Sequence, residues 1–193
     1  MSDEGKKGKA TFEEYLANEE TAEFKSEFYA GEIYAMSGGT RNHSLIGANI
    51  VRELGNALMG KDCVVYNSDL KIRIEAADAS AYPDATVICG TEECYEDRKD
   101  ILVNPTLVLE VLSEGTAGWD RGGKFRRYEM LSSLKEYVVV EQNAPQVDVF
   151  RRNPQGLWVL ERFDGLDSVV EFQSLGTSVA LSGIYYRVEF EEG

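Results

Sequence analysis

The sequence predicts a mixed α/β domain of the α+β kind, with a central mixed sheet flanked by helices and a C-terminal β-hairpin. Three observations predict it. Ile46, Ile50, Leu54 and Leu58 recur every fourth residue, which is the period of one helix face. Short apolar runs at 85–89, 107–113 and 137–140 are rich in valine, isoleucine and leucine, as buried strands are. Asn153, Pro154, Gln155 and Gly156 separate two strand-like runs, 147–151 and 157–163, in the manner of a hairpin turn.

A chain of 193 residues is most simply one domain with a sizeable core. Its polar start, rich in lysine and glycine, reads as a disordered tail over residues 1–10, and the domain then runs over 11–193. That start lacks the apolar core of a signal peptide, and no apolar run reaches membrane-spanning length. Cys63, Cys89 and Cys94 have no metal-ligand spacing; an odd count without a leader suggests reduced thiols in a cytoplasm. The formal net charge of −14 works against unaided binding to a phosphate backbone.

Thr11 and Glu14 form a capping box that starts a helix with Phe12, Tyr15 and Leu16 turned inward. Strands are expected at 24–29 and 32–36, joined at Ala30 and Gly31, with Glu27 and Glu32 on either side of the turn. Thr40 or Asn42 caps the next helix, of roughly five turns, and Gly60 closes it. Strand periodicity follows at 64–66 and 70–74. Residues 78–81 read as a turn and 90–100 as a polar connection. A helix is expected over about 120–131, weakened by Gly122 and Gly123 at about 1 kcal/mol each against alanine. Short strands are expected at 169–172 and 185–190.

The run at 107–113 carries the chemistry. It is apolar except for Glu110 and the closing Ser113, and an ionised carboxylate inside a buried strand is expensive without a partner. Asp84 follows Pro83, which favours an extended backbone just before it and fixes the entry to another buried run. Asp120, Lys124 and Tyr128 are spaced by four on one helix face. Two carboxylates at strand ends with a lysine nearby could hold a divalent ion for hydrolysis. Each residue also has a plainer reading. Asp84 would be a solvated turn residue, Glu110 a partnered strand charge, and Asp120, Lys124 and Tyr128 a cap, an exposed ion pair and a core-edge aromatic. His43, the single histidine, would be a packing or capping residue near a helix start. The stretch 118–124 has the glycine–lysine core of a phosphate-binding loop. Phe125, however, stands where a magnesium-binding Ser or Thr belongs, so a nucleotide triphosphatase is disfavoured.

Pro83-Asp84, then Leu109-Glu110-Val111-Leu112-Ser113, then Asp120, Lys124 and Tyr128 resemble the motifs of the Uma-type restriction-endonuclease family, within the PD-(D/E)xK nuclease superfamily. Glu27 to Ile33, His43, the run from Glu136 to Val140 and the later Val147 to Phe150 extend the resemblance across 11–190. It implies a restriction-endonuclease-like core and a phosphodiesterase site dependent on Mg²⁺ or Mn²⁺, with Asp84 and Glu110 as metal ligands and DNA as substrate. Leu112 occupies the superfamily's lysine position, and Lys124 inherits that role. Glu27 adds an acidic contact, and Asp120 and Tyr128 orient Lys124. The expected enzyme is a cytoplasmic endonuclease in which a metal-bound water attacks phosphorus. A homodimer is implied because cutting both strands takes two sites. The rival class is a non-catalytic interaction module on the same fold. Three further expectations follow: Asp84 and Glu110 lie on paired strands with both carboxylates opening into one cleft; Lys71, Arg73, Arg121, Lys124, Arg126 and Arg127 gather on the cleft side; and the Lys124 ammonium lies beside both carboxylates.

Overall fold

The computed structural model describes residues 9–190 except 114 and 116. The tail assigned to residues 1–10 lies outside the described residues up to residue 8. Residue 10 is already tied down, its amide donating to the Gly31 carbonyl at 3.0 Å.

Helix α1 (Phe12–Glu19) starts as the capping box predicts. The Thr11 hydroxyl accepts from the Glu14 amide and the Glu14 carboxylate accepts from the Thr11 amide. Strands β1 (Ser26–Tyr29) and β2 (Glu32–Ala35) form the expected hairpin, turning through Ala30 and Gly31, both at positive φ. Thr40 caps helix α2 (Arg41–Ala57), accepting from the His43 amide at 3.1 Å. Ile46, Ile50 and Leu54 on its buried face are each worth about 1.5–3 kcal/mol of burial.

The strands that follow are β3 (Cys63–Asn67), β4 (Lys71–Ile74), β5 (Ala79–Ala81), β6 (Ala85–Cys89), β7 (Cys94–Tyr95), β8 (Arg98–Leu102) and β9 (Leu107–Val111). A helical segment comes next: α3 (Ala117–Trp119), a π-helical turn (Asp120–Lys124) and α4 (Phe125–Tyr128). Then come β10 (Glu136–Val140), the hairpin of β11 (Gln146–Arg152) and β12 (Trp158–Asp164), a second hairpin of β13 (Val169–Phe172) and β14 (Thr177–Ala180), and α5 (Leu181–Ile184).

The fold is mixed α+β, as the sequence predicts, and its strands divide between two six-stranded mixed sheets. One runs β2-β1-β5-β4-β8-β7 and the other β12-β11-β10-β9-β6-β3. Three apolar layers hold them. Phe12 and Tyr15 pack α1 on Phe28 and Ile101 of the first sheet. Ile72, Ala81, Val108, Leu112, Tyr128 and Tyr137 fill the space between the sheets. Leu107, Leu109 and Val111 face α2, α5 and the last hairpin. Alternate residues of β9 therefore point into different layers, and Glu110 shares the inter-sheet face with Val108 and Leu112.

Several local expectations are corrected. Residues 79–81 are not a turn but a buried strand between β1 and β4, although Ala-Ser-Ala has little strand propensity of its own. The polar connection at 90–100 contains β7 and the start of β8, an edge pair that tolerates polar residues. Residues 185–190 are not a strand, for no neighbouring strand accepts them, and β14 supplies the terminal pairing instead. Cys63 and Cys89 are not free thiols; they are joined in a disulfide, while Cys94 is free and exposed. The β3–β6 register sets them directly opposite each other. The Gly90 amide bonds the Asp62 carbonyl one step on, so theirs is the close, non-hydrogen-bonded kind of pair. The glycine–lysine stretch at 118–124 is helical rather than a phosphate-cradling loop, and Phe125 packs on Tyr137, Phe150 and Trp158.

Candidate functional site

The β6–β9 pairing is antiparallel with Ala85 opposite Leu109, so one step further Asp84 lies across from Glu110. The Asp84 carboxylate accepts from the Val111 amide at 2.7 Å, which pins it to the strand carrying Glu110. His43 Nε2, at the start of α2, lies 3.4 Å from Asp84 Oδ2, and both side chains keep some contact with solvent, 22% and 18%. Asp84 raises the His43 pKa above its ordinary value by hydrogen bonding, which outweighs the opposing effect of burial.

Behind this end lies a buried cluster that includes Glu110, so the two carboxylates do not open into one cleft: Asp84 keeps some contact with solvent and Glu110 is covered. Lys124 Nζ is 3.0 Å from Glu110, 3.0 Å from Glu27 and 3.8 Å from Asp120. Glu110, Glu27, Asp120 and Lys124 are all less than a tenth exposed. The Tyr29 hydroxyl donates to Glu27 at 2.5 Å and the Tyr82 amide donates to the same carboxylate at 3.3 Å. The Tyr128 hydroxyl makes a long bond of 3.4 Å to Glu110, and the Tyr137 hydroxyl donates to the Asp120 carbonyl at 2.8 Å.

Three carboxylates face one ammonium, and burial together with that count sets the titration shifts. Burial, above all, pushes the Glu110 carboxyl well above the usual range; Lys124 opposes the shift, and Asp84, Asp120 and Glu27 add to it. Burial alone would lower the Lys124 pKa, but Glu110 and Glu27 outweigh it and hold the ammonium well above the ordinary lysine value. Both shifts have the same sense: a cluster with surplus negative charge retains protons.

The π-helical turn places Lys124. It widens the segment just where Gly122 and Gly123 were expected to weaken it, and π turns recur at functional sites. A side chain at Gly123 would lie 2.3 Å from the Trp119 ring, so this glycine permits Trp119 to lie against the backbone. Arg121 anchors the turn from outside through Glu141, at 2.5 Å, and the buried Asp148.

Asp84, Glu110, Lys124, Glu27, Asp120, Tyr128 and His43 thus come together, with some differences in pairing. Lys124 makes its ion pairs with Glu27, Glu110 and Asp120, whereas Asp84 is paired with His43. Tyr128 touches Glu110 rather than Lys124. Leu112 is buried in the inter-sheet core, so the cation arrives from the helical segment instead of the strand. Lys71 and Arg73 do not join a cleft. Lys71 is 3% exposed beside Glu19, and Arg73 is 7% exposed over the Phe12 ring. Tyr29 and Tyr137 were not foreseen. Tyr29 had a readable signal, since it stands two residues after Glu27 and shares its strand face.

Among the described residues no three metal-binding side chains converge on one point. Mg²⁺ keeps several of its waters and needs only one or two carboxylates, so the facing Asp84 and Glu110, with their surplus negative charge, suit a hydrated divalent ion.

Comparison with known proteins gives the family and the fold. The family model described as Uma2, putative restriction endonuclease, matches residues 12–182, and the chain belongs to that family. Two uncharacterized proteins of Synechocystis sp. are similar. One, slr1290, is 39% identical over 92% of this chain and 92% of its own length. The other, sll1609, is 32% identical over 84% of this chain and 92% of its own length. The crystal structure of a putative nuclease belonging to DUF820 from Anabaena variabilis shares the fold. Its TM-score is 0.73 at 19% identity, covering 91% of this chain and 97% of that one. No described helix is long and apolar enough to cross a membrane.

Proposed function

We propose that the protein is a metal-dependent nuclease that hydrolyses phosphodiester bonds in DNA, with its site at Asp84, Glu110 and Lys124. The observation that carries this reading is the Asp84 carboxylate held on the Val111 amide at 2.7 Å, next to Glu110 on β9, with Lys124 Nζ 3.0 Å from Glu110. Membership of a family described as putative restriction endonucleases supports it. Asp84 and Glu110 would hold Mg²⁺ or Mn²⁺, which when bound supplies Lewis acidity and a nucleophilic water at neutral pH. Lys124 remains charged and offsets the negative charge that grows on the phosphate. Glu27 and Asp120 fix the ammonium, and Tyr29 fixes Glu27. His43 orients Asp84 from the solvent side. Where the substrate is a duplex, cutting both strands takes two copies of the chain, and a homodimer belongs to the proposal on that ground.

One observation favours the rival reading, a non-catalytic interaction module. With Lys71 and Arg73 buried, the molecule has fewer cations to offer a phosphate backbone against a net charge of −14.

The test is cleavage of single-stranded, linear duplex and supercoiled DNA in Mg²⁺, Mn²⁺ or EDTA. Cleavage that needs metal and is lost in Asp84→Asn and Glu110→Gln is expected. The wild type should also melt at a higher temperature with metal than with EDTA, since a ligand bound only by the folded state stabilises it. A protein that cuts none of these DNAs and shows no metal-dependent melting shift supports the interaction module.

A further inference from the structure

We infer that Trp119 and Tyr34, joined through Tyr29 and Arg127, form a stacking platform for an unpaired nucleobase, so that the strand entering the site is single-stranded there. The inference rests on the nuclease reading and names the substrate class for it. Trp119 is 38% exposed and Tyr34 is 48% exposed, although both adjoin a buried aromatic, Tyr29. The Tyr29 ring lies 5.4 Å from Trp119 and 5.6 Å from Tyr34, and its hydroxyl bonds Glu27 inside the carboxylate cluster. One tyrosine therefore links the exposed rings to the groups around Lys124.

The platform is held in place before any ligand arrives. Trp119 lies against Gly123, where an added Cβ would be 2.3 Å from the ring. The Arg127 guanidinium sits 4.5 Å from the Trp119 ring and 4.8 Å from the Tyr29 ring, and it donates to the Gly123 carbonyl at 2.6 Å. Rings already fixed lose little entropy when a base stacks on them. Charge points the same way. A duplex is gripped mainly through phosphates, which this acidic chain with Lys71 and Arg73 buried is poorly built to do. A base face carries no net charge and stacks on an aromatic ring regardless of sequence. In a duplex that face is covered by its neighbours, so the platform selects an unpaired or frayed strand.

The experiment uses the full chain carrying Trp158→Phe, which leaves Trp119 as the single tryptophan. In EDTA it is titrated with a mixed-sequence single-stranded oligodeoxynucleotide and with the same sequence as a duplex. The expected result is quenching of Trp119 fluorescence by the single strand, with the duplex bound at least about tenfold more weakly. Measured by anisotropy of a labelled oligonucleotide, Trp119→Ala and Tyr34→Ala should each weaken single-strand binding by about tenfold, and Trp119→Phe should retain most of it. Tyr34 lies on an exposed edge strand, so its variant remains informative if Trp119→Ala fails to fold. Equal affinity for the duplex, no binding of the single strand, or unchanged affinity in Tyr34→Ala overturns the platform. Binding is read without metal or cleavage. A protein that binds the single strand as described but cuts nothing overturns the nuclease reading alone; one that cuts DNA while Trp119→Ala and Tyr34→Ala leave binding unchanged overturns the platform alone.

Discussion

Two lysines of this chain are buried to nearly the same degree, Lys71 at 3% and Lys124 at 7% exposure, yet their titration shifts run in opposite directions. Lys71 on β4 has one carboxylate, Glu19, at 3.4 Å, and lies 4.6 Å from the Tyr15 ring and 5.2 Å from the Tyr82 ring. Burial lowers its pKa, and Glu19 offsets the shift only in part. Lys124 has three carboxylates within 4 Å, and their attraction outweighs burial. Burial therefore does not decide what a buried lysine is for; the surrounding charge count does. Around Lys71 the charges balance and aromatic faces complete the shell, as a structural ion pair requires. Around Lys124 the carboxylates exceed the cations, a surplus that a divalent ion or a bound proton would relieve.

The largest effect should come from removing the cation at the surplus. Lys124→Ala leaves Glu27 and Glu110 buried without it, a change worth about 3–5 kcal/mol of stability. Spacing alone would have allowed this variant to fold normally; the buried ion pairs argue otherwise. If wild-type DNA cleavage is demonstrated, the same variant should lower it at least about a hundredfold. Urea denaturation and a cleavage assay measure the two effects, and an unchanged midpoint would show that the cluster is not under charge stress.

A second effect follows from pH. The folded-state pKa of Glu110 is raised, so between its unfolded value near ~4.3 and that raised value the folded chain binds one more proton than the unfolded chain. Stability from this group is fully present below the unfolded pKa and is lost as pH rises through the folded one. The slope is about 1.4 kcal/mol per pH unit for one proton. Urea midpoints in EDTA should fall with rising pH over this window, and Glu110→Gln should remove that part of the slope. Saturating Mg²⁺ should flatten it in the wild type if the ion replaces the proton.

A smaller effect tests how Lys124 is carried. Lys71 sits on a strand that pairs on both sides, whereas Lys124 rides on a π turn whose Gly123 lies against Trp119. Alanine normally improves a helical glycine position by up to about 1 kcal/mol. Here Gly123→Ala must displace an indole ring and should instead destabilise by about 1–3 kcal/mol, with a shifted tryptophan emission.

The comparison also explains which parts of the molecule could be read from the sequence. Glu110 stood out because a charge in a valine–leucine run needs a partner, and Lys124 because its spacing from Asp120 and Tyr128 is helical. Lys71 and Arg73 misled because they alternate with Leu70, Ile72 and Ile74, the pattern of a strand with one wet face. Strand β4 is covered on both faces, so its charged residues are buried and alternation carries no information about solvent. The Cys63–Cys89 bridge depends on register between strands 26 residues apart, which local periodicity does not encode. Residues 185–190 have strand-like side chains without a neighbouring edge, and β-propensity without a partner makes no strand.

The smallest effect is expected at the other lysine. Lys71→Met keeps a long apolar stem for the Tyr15 and Tyr82 rings and removes the charge. The carboxylate left behind is not stranded as Glu27 and Glu110 would be. Glu19 still accepts from the Ser26 amide at 2.9 Å, the Ser26 hydroxyl at 2.7 Å and the Tyr82 hydroxyl at 2.8 Å. Three donors satisfy most of what an ionised carboxylate needs, so the loss should be about 1 kcal/mol, the scale of one hydrogen bond or cation–π contact. DNA cleavage, where the wild type shows it, should be unaffected, because Lys71 makes no ion pair with Asp84, Glu110 or Glu27. Urea denaturation of Lys71→Met beside Lys124→Ala puts the two sites on one scale. A cost for Lys71→Met as large as that for Lys124→Ala would mean that burial, and not the surplus of carboxylates, sets the strain at both.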